Sequence, residues 1–197
     1  LFLVCLVLIT IGLSVSKPLV TLGQYALFTL WLFDGNIKKK TLDFFRNKTA
    51  LALTSIYLLS IIGLIYTDDL SYAIDDLRRK LPLFFLPFLI SGFTPIARKE
   101  FRLVFKYYVV GVLISSLWSC FIMLGGLNEV ITDTRALSRF NSHIRFALEI
   151  CLAIFGSFYF TWKAQLNKQK ILWSIVGSWL IIFLFLINLF TGAVILL

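Results

Sequence analysis

Arg145-Phe146-Ala147-Leu148-Glu149-Ile150-Cys151-Leu152-Ala153-Ile154-Phe155-Gly156-Ser157-Phe158-Tyr159-Phe160-Thr161-Trp162-Lys163 decides how this chain folds. Between its two end cations, residues 146 to 162 carry one charge, that of Glu149. A bilayer's hydrocarbon core is crossed by about 20 apolar helical residues, or about 17 at the short end. A run of this length with a cation at each edge therefore reads as a transmembrane helix.

Working outward, the same reading applies to residues 1 to 16, 18 to 33, 50 to 66, 81 to 97, 107 to 124 and 171 to 190, which makes about seven segments. The expected fold is one all-α polytopic membrane domain over residues 1 to 197. Composition agrees: 59% of the 197 residues are hydrophobic and 15% charged, with mean hydropathy +0.92, too apolar for the surface of a water-soluble domain. No small-residue cleavage pattern follows Ser14 to Lys17, so the first segment reads as a helix and not a signal peptide. Both ends cut through apolar sequence, and the chain is expected to be part of a longer protein. Cys5, Cys120 and Cys151 lie in apolar stretches without metal-ligand spacing and read as small hydrophobes.

Sorting the connections alternately separates the charges. Residues 34 to 49, 94 to 106 and 163 to 170 hold twelve cations against Asp34, Asp43 and Glu100, whereas the opposite side balances seven cations with six acids. By the positive-inside rule the first set is cytoplasmic, and residues 67 to 80 and 125 to 145 form loops on the opposite, outer side. The net charge of +9 is then a topology signal, and no nucleic-acid partner is expected. Trp31, Tyr107, Tyr108, Trp162 and Trp173 fall near the cytoplasmic ends, where amphipathic rings favour the headgroup level. Asn47-Lys48-Thr49 matches a glycosylation pattern but sits on the cytoplasmic side, where it would not be used.

Gly111, Ser115 and Ser119 recur every four residues, as do Ala153 and Ser157, giving two helices a small-residue stripe for close approach. Pro82, Pro87, Gly92 and Pro95 favour kinks in the fourth segment, and this places it beside a cavity.

Two outer loops carry candidate chemistry. In the first, Leu70, Ile74, Leu77 and Leu81 line one face of a helix suited to the membrane surface, capped by Thr67 or Asp68. Asp75 with Arg79, and Asp76 with Lys80, are spaced as ion pairs one turn apart. The helix is either a solvated amphipathic element or one that keeps Arg78, Arg79 or Lys80 free for a lipid-linked phosphate. Its paired aspartates are a weaker candidate for a divalent cation. The second loop brings Arg139, His143 and Arg145 to the mouth of the sixth segment, with Glu149 one turn below Arg145 and able to orient it. Arginine's planar fork matches phosphate oxygens, although arginines here also fit plain headgroup contacts. His143 is a candidate general base or a hydrogen-bonding scaffold.

Three stretches carry a family resemblance: Gly63-Leu64-Ile65-Tyr66 leading into Ala73 to Leu77, then Lys80-Leu81-Pro82-Leu83-Phe84-Phe85-Leu86-Pro87, then Ser142-His143-Ile144-Arg145-Phe146-Ala147-Leu148. In this order the chain resembles the N-terminal half of the O-antigen ligase and O-antigen polymerase superfamily, in a form like Bacteroidetes-type sequences. The resemblance implies a glycosyltransferase of about twelve spans in lipopolysaccharide biosynthesis. Such an enzyme takes a glycan from undecaprenyl diphosphate on the periplasmic side and passes it to lipid A-core, or to another lipid-linked repeat in the polymerases. It also implies inverting transfer with no metal and no cofactor, with arginines holding the diphosphate and a histidine of the C-terminal half as the usual base. Phe190, in Leu189-Phe190-Thr191-Gly192, stands where many relatives have an arginine. Transporters or flippases, and metal-dependent lipid-linked glycosyltransferases, are the competing readings. A transporter would show internal repeats and mid-helix charges. Here the charges cluster at segment ends, Glu149 excepted.

Overall fold

The computed structural model describes residues 1–124 and 143–186. Every regular element among them is helical: α1 (Phe2–Val15), α2 (Lys17–Phe33), α3 (Ile37–Arg46), α4 (Lys48–Ile62) with a 3₁₀ turn (Gly63–Tyr66), α5 (Leu70–Lys80), α6 (Pro82–Ser91), α7 (Arg98–Met123), α8 (His143–Lys163) and α9 (Asn167–Leu186). Among the described residues four helices are long and apolar enough to cross a membrane: Lys48–Tyr66, α7, α8 and α9. The chain is thus an all-helical protein of multi-pass membrane character. The first, second and fourth expected segments form shorter helices of 14, 17 and 10 residues. Ser16 separates α1 from α2, whose second residue is Pro18, and α6 begins on Pro82 and stops at Gly92. Helix α6 continues through Pro87.

The described chain forms two compact units, the first comprising Leu1–Phe2 and Gln24–Ala97, the second Leu3–Gly23 and the residues from Arg98 on. In the first, the turn Asp34-Gly35-Asn36 starts α3. Gly35 (φ 67°) and Asn36 (φ 53°) both adopt the left-handed conformation, which these two residue types tolerate best. Helix α3 is amphipathic and buries Lys40 and Phe44, four residues apart. The Lys40 ammonium donates to the Trp31 carbonyl at 2.7 Å, pairs with Asp34 at 3.0 Å and lies over the rings of Trp31 and Phe93. Trp31, expected at the headgroup level, is instead buried, because its indole serves as a wall of this lysine site. Asn47 caps α4, its side-chain oxygen accepting from Thr49 N and Ala50 N. That capping role accounts for the residue without glycosylation.

Helix α5 is capped by Asp69, which accepts from Tyr72 N at 3.0 Å, and not by Thr67 or Asp68. The 3₁₀ turn carries the chain further before α5 begins, so the cap moves to Asp69. No residue of α5 is buried, and Leu70, Ile74 and the adjoining Leu81 remain exposed.

In the second unit α8 packs most extensively against α9 and also meets α7. Tyr108, Val109, Val112, Phe146, Ile150, Ile154, Leu180 and Phe183 form its core. Since lipid is as apolar as leucine, these helices associate through close packing and not water exclusion. The small residues supply that closeness: Gly111, Ser115, Ser119, Ala153 and Ser157 are all buried, as the stripes predict. At Gly111 an added Cβ would sit 3.2 Å from the Ile11 backbone, and at Gly156 it would press on Phe105 at 2.9 Å.

Candidate functional site

His143 opens α8 and is half-buried, and Arg145 follows in the first turn with its side chain exposed. Glu149 lies six residues in from His143, about 9 Å along the axis at the rise of an α-helix. An ionisable side chain at that depth needs a polar partner. Ser14, at the end of α1 and 1% exposed, provides one by donating its hydroxyl to Glu149 Oε2 at 2.8 Å. Tyr108 of α7 donates to the Glu149 carbonyl at 3.0 Å. Three helices therefore meet at one polar point inside an apolar bundle.

Sequence reasoning did not find Ser14 or Tyr108. Ser14 is one hydroxyl in an apolar helix 135 positions from its partner, and no local spacing reveals such a pair. Tyr108 was expected at the headgroup level beside Tyr107, but only Tyr107 is exposed; Tyr108 is 6% exposed and turned into the core. Trp179 repeats the theme by donating to Ser116 Oγ at 3.0 Å. Replacing Ser14 with Ala removes a hydrogen bond in a medium with no water to substitute. It is expected to cost about 1 to 3 kcal/mol of stability, read from thermal unfolding of the detergent-purified protein. A wild-type melting profile would mean that Ser14 is not what holds Glu149.

The other candidate cations belong to the first unit. Arg78, Arg79 and Lys80 form the last turn of α5, where cations favour the negative end of the helix dipole. Arg78 pairs with Asp75 at 3.5 Å, and Lys80 pairs with Asp76. Asp75 was expected to pair with Arg79; the pairing at i,i+3 leaves the exposed Arg79 outside any ion pair among the described residues. Both aspartates are thus already compensated by cations. Among the described residues no three His, Cys, Asp or Glu side chains converge as metal ligands would. Arg139, most of the 125 to 145 loop and Phe190 lie outside the described residues.

In the second unit the first turn of α8 carries one exposed guanidinium, that of Arg145, with the Glu149 carboxyl held one turn deeper; in the first unit, separately, a group of cations ends α5. Such groups attract an anion presented at a membrane boundary. No family model matches the chain, and comparison with curated proteins and with solved structures returns no match.

Proposed function

We propose that this chain is the N-terminal half of a glycosyltransferase resembling the O-antigen ligases. The enzyme moves a glycan from undecaprenyl diphosphate to lipid A-core on the periplasmic side of the bacterial inner membrane. Arg145 and Arg139, with Arg78, Arg79 and Lys80, hold the diphosphate; Glu149 orients Arg145; and His143 is the secondary candidate for a base. The observation that carries this reading is the exposed Arg145 one turn above the anchored Glu149 at the end of a membrane-length helix. Transfer from a diphosphate builds negative charge on the leaving group, and preorganised cations in a site screened from water stabilise it. The seven segments in this half belong to the same proposal, with α1, α2 and α6 as its shorter members. Polymerase activity, in which a second lipid-linked repeat is the acceptor, places the same demand on these residues.

If arginines and not a bound cation neutralise the diphosphate, glycan transfer by the full-length protein persists in excess chelator. The paired state of Asp75 and Asp76 supports that expectation. Asp69→Asn combined with Asp76→Asn is expected to retain most activity. Loss of transfer on chelation, restored by magnesium or manganese, would make the enzyme metal-dependent.

A further inference from the structure

Within the first unit, a polar hollow of about 420 Å³ is lined by Asp34, Asn36, Lys39, Lys40, Asp43 and the segment from Gly92 to Pro95. Beside it, a groove of about 430 Å³ runs between α4 and α6, with Ala50, Leu53, Pro87 and Ile90 in its walls. The two share Phe93, Thr94 and Pro95. A charged compartment and an apolar one thus meet along a common wall, which is the outline of an amphiphile.

The charges in the hollow narrow the headgroup. Lys40 and Asp34 satisfy each other at 3.0 Å, and the Trp31 carbonyl takes a further ammonium proton. Lys39 and Asp43, one turn apart on α3, enter no ion pair among the described residues. One cation and one anion are therefore left facing the hollow. The N-terminus of α3 sharpens the anion end: Asn36 makes no side-chain cap, the first turn holds three lysines and no acid, and Lys40 N is the first amide to donate along the helix. Free amides at a helix start whose first turn holds no acid favour a bound anion, the nearby Asp34 being taken up by Lys40. Independently, the Trp31 indole N–H is buried and has no acceptor among the described residues. It lies directly behind Gly92, a residue of the hollow's wall, where an added Cβ would come within 2.5 Å of it.

We propose that this unit holds one phospholipid with a primary-amine headgroup. Its phosphate sits at Lys39 and the open start of α3, its ammonium at Asp43, and one acyl chain in the groove between α4 and α6. The hollow's acids and bases balance, so a zwitterion complements it better than a purely anionic lipid. One helical turn, about 5 to 6 Å between side chains, is of the order of the two-carbon link between phosphate and amine.

The test uses full-length protein in detergent, with native mass spectrometry after titration of phosphatidylethanolamine, phosphatidylcholine and phosphatidylglycerol bearing identical acyl chains. One phosphatidylethanolamine is expected to be retained about tenfold more tightly than either competitor, the worth of one hydrogen bond to a charged group. Asp43→Asn should erase the preference over phosphatidylcholine, Lys39→Gln should weaken all three lipids, and Leu53→Trp should weaken retention by filling the groove. Arg46→Gln, on the same helix outside the hollow, should change nothing and controls for folding. Equal retention of the three lipids by wild type, or an undiminished preference in Asp43→Asn, would overturn the site. Soluble glycerophosphoethanolamine competing as well as the diacyl lipid would remove the groove from it and make the ligand a free headgroup ester.

Discussion

Glycan transfer by the full-length protein is expected to fall about 10²- to 10³-fold on Arg145→Ala. That is the loss of about 3 kcal/mol that accompanies removal of one charge-stabilising contact. Arg145 is exposed in the first turn of α8, so the substitution empties no core and the protein should insert and purify normally. Arg145→Lys separates two roles. A bidentate grip on a diphosphate needs the planar fork, and a lysine at this position keeps the charge but supplies only a point donor. Transfer by the lysine variant should therefore already be impaired. A residue that merely anchors a headgroup would be replaced by lysine without loss. Wild-type transfer by a stably expressed Arg145→Ala protein would take this residue out of the site, and the proposed function would lose its principal support.

The largest structural effect is expected at Gly12. A Cβ at this position would stand 2.7 Å from the Val20 backbone nitrogen and 3.0 Å from the Leu19 carbonyl carbon, as α2 folds back on α1. Backbone cannot rotate aside as a side chain can, so the α1–α2 contact must open. Gly12→Val is expected to cost about 3 kcal/mol, the upper range for overpacking a tight contact. The same opening disturbs Ser14 two residues on, and with it the hydrogen bond to Glu149. Gly63 is the contrast, because nothing lies within 4 Å of its Cβ position and its φ is −58°. Gly63→Ala should leave the unfolding midpoint unchanged or raise it slightly. Equal melting of Gly12→Val and wild type would show that the α1–α2 approach does not contribute to stability.

Length and hydropathy made the membrane-crossing helices legible, since α4 with its 3₁₀ turn, α7, α8 and α9 are each long apolar runs that no other element accommodates. Helical spacing likewise marked which faces carry small residues, and Gly111, Ser115, Ser119, Ala153 and Ser157 are buried accordingly. The exposed, cation-ended helix α5 was readable from its period of leucines, although its cap and one of its ion pairs were not. Those misplacements are local: a one- or two-residue shift in where a helix begins decides which acid caps it and which cation an aspartate meets.

What tertiary structure alone decided is of another kind. Periodicity tells which face of a helix seeks a partner but carries no record of which helix comes to meet it. The Ser14 hydroxyl therefore reads as incidental until α1 reaches Glu149 of α8, and Tyr108 reads as an interfacial ring until its hydroxyl is seen on the Glu149 carbonyl. Lys40 shows the same limit. In sequence it is the third of three equivalent lysines; in the fold it is the one turned inward onto Trp31 and paired with Asp34, while Lys39 at the same hollow enters no ion pair among the described residues. Residue types and their spacing determined that this chain is a helical membrane protein with cations at its segment ends. Which of its polar groups hold one another, and which remain for a ligand, was decided by helix contacts over long sequence separations, because a hydrogen bond depends on where two side chains meet in space.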